Sequence, residues 1–96
     1  MENQYYGERL SVLERELTNL RAAETAHAAY VASLTTIRAA AQYRQTRERI
    51  DAALDDLASI REDTITGPIY LVELAIEEIE GAQDFAAARS ARPVTV

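Results

Sequence analysis

No glycine or proline occurs between Gly7 and Gly67, and throughout that stretch apolar residues recur every three or four positions. This spacing matches one face of an α-helix, and the two residue types that most readily end a helix are missing. The chain is therefore predicted to be all-helical.

The size and composition of the chain predict a thin core. The sequence has 96 residues, which is enough for one small domain, and eighteen of them are alanine. Alanine favours helix but adds little apolar surface to a core, and a chain this short buries only about 60–65% of its unfolded surface. Such helices are expected to associate, so we predict a homo-oligomer that packs through its helices.

Several kinds of chemistry are excluded by residue type. All ten basic residues are arginine, so no lysine can form a Schiff base, and the absence of cysteine rules out disulfides and thiolate nucleophiles. The single histidine and the scattered serines do not form a recognisable set of nucleophile, base and orienting group. The chain is predicted not to be an enzyme and to need no cofactor.

Charge and hydropathy restrict the partners. The net charge of −6 argues against direct nucleic-acid binding, which requires a basic surface. The N-terminus lacks the basic start and apolar core of a secretory signal, and the most apolar stretch, residues 69–76, is too short for a bilayer and contains Glu73. A cytoplasmic protein without membrane contact is predicted.

A long first helix, about residues 8–42, follows from a single apolar stripe with heptad-like spacing. The stripe consists of Leu10, Leu13, Leu17, Leu20, His27, Val31, Leu34, Ile37 and Ala41. Glu24 continues the same spacing, so Glu24 and His27 place two polar groups within it. A polar pair in such a position fixes helix register. The Glu-x-x-His spacing also occurs in di-iron helical bundles, which makes a metal site the weaker alternative.

The remainder of the chain predicts two further helices, about residues 46–62 and 68–89. The apolar arc of Ile50, Leu54 and Leu57 points away from the first stripe, which favours a turn between Ala41 and Thr46 with Thr46 as the N-cap, over one continuous helix. A firmer boundary is predicted at residues 64–68, where Thr66 or Gly67 would cap a helix that begins with Pro68. Residues 91–96 are predicted to form an extended tail after the last helix.

The third helix has an apolar arc with an acidic stripe beside it. The arc comprises Ile69, Leu71, Val72, Ala75, Ile76, Ile79, Ala82 and Ala86, and the stripe comprises Glu73, Glu77, Glu80 and Asp84. Like charges at this spacing repel unless a positive group faces them. The stripe is therefore a candidate partner-binding surface, as are Tyr5 and Tyr6, which precede the predicted first helix and either pack back on it or anchor a partner.

Tyr43, Arg44 and Arg47 form a candidate ligand site on the most basic stretch of the chain. An aromatic ring and guanidinium groups within one helical turn can stack on a base and bind phosphate. The same grouping also occurs on ordinary solvated helices, and it could pair with an acidic partner.

Taken together, the sequence predicts an all-α protein, arranged as an antiparallel helical hairpin or three helices with one long N-terminal helix. Its predicted role is non-enzymatic: a regulator, inhibitor or assembly component that acts through contacts with itself and with another protein. The alternative belongs to another class of function: the chain would bind a small anionic ligand, such as a nucleotide, between subunits.

Overall fold

The computed structural model describes residues 2–91 of the chain, and side-chain surroundings from Tyr5 to Arg89. Every described residue is helical except 41–43. The first helix, α1, spans Glu2–Ala40, and α2 spans Arg44–Arg61. A π-helical turn follows at Glu62–Thr66, and α3 spans Gly67–Ala91. Apart from Ala91, the predicted tail at residues 91–96 lies outside the described range.

The chain forms two antiparallel arms, because α2, the π-turn and α3 run on as one helix without a break. Hydrogen bonds between the two arms show their relative direction: Arg38 bonds to Asp51, His27 to Leu57 and Arg21 to Glu73. The residue numbers of the partners in α1 therefore decrease as those in the second arm increase. The resulting hairpin measures 82 × 16 × 15 Å.

The reversal occupies residues 41–43. The amide of Ala41 donates to the carbonyl of Arg38, and the amide of Arg47 donates to the carbonyl of Tyr43, the N-cap of α2. The turn thus falls at the start of the predicted interval. The predicted cap is wrong, since Thr46 lies within α2 and Tyr43 makes no side-chain capping bond.

The helix does not break at the predicted boundary, residues 64–68, although α3 begins there at Gly67; the three-helix arrangement is not confirmed. Proline lacks an amide donor, and its ring crowds the preceding turn of an α-helix. Here the wider π-turn ends at Thr66, with only Gly67 between it and Pro68, and the amide of Gly67 donates to the carbonyl of Glu62. The hydroxyl of Thr64 donates to the carbonyl of Ile60 at 2.6 Å. The helix therefore passes through Gly67 and Pro68 without a cap.

The π-turn also shifts the apolar pattern by one residue. Before it, the residues facing α1 follow alternating steps of four and three: Ile50, Leu54 and Leu57, which are buried or half-buried, and the exposed Arg61, which contacts Glu24 of α1. Continued unchanged, that pattern would next place Thr64, Pro68 and Leu71 at the interface. Thr64 and Leu71 are instead exposed and Pro68 is half-buried. The pattern of buried and half-buried apolar residues continues one position later, at Ile65, Ile69, Val72, Ile76 and Ile79. A π-turn accommodates one extra residue, so it keeps both halves of the arm facing α1.

We call the line of residues between the arms the seam. On α1 it consists of Leu10, Leu13, Leu17, Leu20, Glu24, His27, Val31 and Leu34, all half-buried, at strict heptad spacing. Two residues that were predicted to face the core do not belong to the interface. Ile37, from the predicted stripe of α1, is 53% exposed, and Leu71, from the predicted apolar arc of α3, is 63% exposed. Ile37 departs from the heptad spacing, and Leu71 lies at one edge of the predicted apolar arc of about 160° on α3, outside the part of the arc that faces α1.

Burial within the hairpin is shallow. Only Ile50, Ile65, Ile69 and Ile79 are buried among the described apolar residues, and none of these reaches full burial. Two helices can cover each other along one stripe only, which leaves most of each cylinder in solvent.

Candidate protein-binding surfaces

The two sides of the hairpin differ in chemistry, and one ion pair establishes which residues share a side. Arg21 donates to Glu73 across the arms at 2.8 Å. Both occupy heptad position e when the seam residues are a and d, and in an antiparallel pair e faces e and g faces g. Positions e and b of both arms therefore lie on one side, and positions g and c lie on the other.

The e/b side carries the predicted acidic stripe, and we call it the acidic flank. Glu73, Glu77 and Glu80 border an open groove together with Leu17, Arg21 and Ile76. Arg21 neutralises only part of the stripe's negative charge, through its ion pair with Glu73. The stripe's predicted role in partner binding stays a prediction.

The g/c side, which we call the apolar flank, carries most of the exposed large apolar side chains. Seven of the ten in the described range lie there: Tyr5, Val12, Tyr30 and Ile37 of α1, and Ile60, Leu71 and Phe85 of the second arm. Their exposed fractions run from 50% to 69%. The other three are Tyr43 at the turn, and Tyr70 and Leu74 on other faces. Such segregation of apolar surface is typical of interaction sites.

Sequence reasoning missed this flank as a unit. On α1 the signal was available, because Tyr5, Val12, Tyr30 and Ile37 fall within an arc of about 40° at 100° per residue. On the second arm it was hidden, since Leu71 and Phe85 share a side with Ile60 only after the one-residue shift.

Tyr5 and Tyr6 lie inside α1 and not ahead of it, because the helix begins at Glu2. Their rings meet edge to face, with centroids 5.7 Å apart. Tyr6 is half-buried in line with the seam, whereas Tyr5 is 60% exposed. The pair thus divides between the two predicted roles, with Tyr6 packed and Tyr5 available on the apolar flank, where it borders a shallow groove with Arg9, Val12 and Glu16.

Glu24 and His27 both make bonds across the seam. The Nε2 atom of His27 lies 2.8 Å from the carbonyl oxygen of Leu57, so this nitrogen carries the proton and donates it. Glu24 contacts Arg21 on its own helix and Arg61 on the other arm, at 3.5 and 3.7 Å. Across the described residues, no group of three His, Cys, Asp or Glu side chains is placed to hold a metal ion. The pair is thus engaged in contacts between the arms, and its role in fixing register stays a prediction.

The turn end of the hairpin carries the predicted anion site. Tyr43 is 79% exposed. The guanidinium of Arg44 donates to Glu48 at 2.7 Å. Arg38 makes two hydrogen bonds to Asp51, which lower the pKa of Asp51, and Arg47 lowers it further through its charge. Part of the basic charge is therefore already neutralised, and a ligand role for Tyr43, Arg44 and Arg47 stays a prediction.

No helix in the described range combines the length and apolar character that crossing a bilayer requires. No family model matches the chain, and comparisons with curated proteins and with solved structures found no significant match.

Proposed function

We propose that this chain is a non-enzymatic helical binding protein that works as an oligomer, through protein–protein contacts, as a regulator, inhibitor or assembly component. The observation that carries the proposal is the apolar flank. Seven large side chains, each at least half exposed, are gathered on one side of the hairpin, and only four of the described apolar residues are buried.

The physical argument is one of unused apolar surface. Each large apolar side chain contributes roughly 1.5–3 kcal/mol when it moves from full exposure to full burial. The seam cannot provide that burial for the flank, because it lies between the arms. Contact with another protein surface would cover the flank and would stabilise both partners.

Light scattering on the intact protein tests the oligomeric part of this proposal. The expected result is a mass that is a multiple of the chain's 10.7 kDa at micromolar concentration. A monomer mass over the same range, together with a cooperative thermal transition, would contradict it.

The alternative function, binding of a small anion at the turn end, is favoured by one observation. Tyr43 and Arg44 are neighbours, and the side chain of Arg44 is 86% exposed, which leaves a ring and a guanidinium open together. Binding would raise the melting temperature by mass action. A thermal-shift series with nucleotides should then show a rise that Arg44→Ala combined with Arg47→Ala abolishes, and no shift at millimolar nucleotide would contradict this alternative.

A further inference from the structure

The geometry points to a second copy of this chain as the occupant of the apolar flank, stacked flank to flank and antiparallel, to form a four-helix bundle. This inference rests on the proposed function, because it assumes that the chain works as an oligomer. To the proposed function it adds the surface that dimerises, the identity of the partner and the relative direction of the two copies.

The first argument is the spacing of the apolar residues along α1. Tyr5 and Val12 lie near one end of the flank, and Tyr30 and Ile37 lie near the other. When α1 of a second copy runs antiparallel over the first, Tyr5 meets the other copy's Ile37, and Val12 meets the other copy's Tyr30. The residue numbers in both pairs add to 42, so one two-fold axis level with Arg21 aligns all four contacts at once. Such an isologous match is what a two-fold dimer requires.

Small residues occupy the middle of the same surface. Asn19, Ala23 and Ala26 lie on the flank between the two apolar clusters, together with Glu16. The axis places Asn19 opposite the other copy's Ala23, and Glu16 opposite the other copy's Ala26. Small side chains at that point let the two helices approach within the usual 8–10 Å between axes.

The second argument is area. From Tyr5 to Ile37 the flank extends about 48 Å at a rise of about 1.5 Å per residue, and the molecule is about 16 Å wide. The product, about 770 Å² per copy, is close to the roughly 800 Å² per partner of a standard stable interface. Two copies joined this way would form the packed core that neither hairpin has alone.

The test compares two matched substitutions by light scattering over a concentration series. Tyr30 and Tyr70 have similar exposed fractions, 55% and 65%, but Tyr70 lies on the acidic flank. Tyr30→Glu should weaken dimerisation at least tenfold, whereas Tyr70→Glu should leave it unchanged, with the helical circular dichroism signal retained in both. A dimer that withstands Tyr30→Glu, or that loses affinity equally with Tyr70→Glu, would overturn the inference.

Direction is tested by a spin-label distance. The chain has no cysteine, so Glu8→Cys, at an exposed site beside the flank, accepts a single label. In the antiparallel dimer the two labels are offset by 26 residues, which is about 39 Å along the axis. In a parallel stack both labels lie at one end, below about 30 Å apart.

The outcomes separate this inference from the proposed function. A dimer with the short label distance overturns the antiparallel arrangement and leaves the oligomeric function intact. A wild-type monomer throughout the micromolar range contradicts both.

Discussion

A Cβ atom added to Gly67 would lie 3.0 Å from the carbonyl oxygen of Glu62, the same oxygen that accepts the amide of Gly67. The neighbour is a backbone atom inside a helix, so it has little freedom to move. Glycine is therefore required at position 67 because there is no space for a Cβ atom. The backbone conformation does not require it, since φ is −61°.

The first prediction compares alanine at two helical glycines. Gly81→Ala should stabilise the protein by about 0.5–1 kcal/mol through helix propensity alone, because a Cβ atom at this position would meet nothing within 4 Å. Gly67→Ala should instead cost about 0.5–1 kcal/mol because of the contact with Glu62. Urea denaturation measures both, and equal stabilisation at the two sites would show that the π-turn is not tightly constrained.

A second prediction concerns the extra residue of the π-turn. Deleting Thr64 together with Pro68→Ala should convert the turn to regular α-helix while Ile65 and the residues after it remain in the seam. Deleting Glu78 in the Pro68→Ala background should rotate the end of α3 by about 100° and expose Ile79.

Thermal melting followed by circular dichroism compares the two deletions, with Pro68→Ala alone as the reference. The Thr64 deletion should melt close to the reference, and the Glu78 deletion well below it. The reverse order would mean that the π-turn does not absorb the shift in the apolar pattern.

The third prediction is the titration of Asp51. Hydrogen bonds from Arg38 are the main cause of the lowered pKa of Asp51. The ionised Asp51 therefore stabilises the fold above an ordinary aspartate pKa of about 4, and this stabilisation is lost as pH falls through the lowered pKa. Arg38→Gln should raise the pKa of Asp51, as followed by carboxyl NMR. Arg44→Gln, which removes the partner of Glu48, serves as the control and should leave Asp51 unchanged.

The fourth prediction concerns His27. His27→Leu should raise the melting temperature, because leucine at a half-buried seam position adds apolar contact worth more than one hydrogen bond of about 0.5–1.5 kcal/mol. The Leu57 carbonyl lies within α2 and keeps its helical environment. His27→Ala, which loses the bond and adds no contact, should lower the melting temperature, and a fall with leucine as well would show that the bond to Leu57 outweighs packing.

The sequence by itself determined the helical nature of the chain and the seam of α1. Heptad spacing from Leu10 to Leu34 is a local property of the chain, and it correctly located Glu24 and His27 between the arms. The turn near Ala41 could also be inferred, because the arcs on either side of it differ in direction. These features depend on spacing within one helix, which the order of residues fixes.

Only the tertiary structure decided the path through Pro68 and the sides on which the second arm's residues lie. Glycine followed by proline normally separates helices, yet packing of Ile65 and Ile69 against α1 stabilises a continuous arm, with a π-turn in place of a break. That one extra residue moves Leu71 out of the seam and onto the same side as Ile60 and Phe85. The apolar flank depends on this rotation together with the antiparallel pairing of the arms, and neither is a property of a local stretch of sequence.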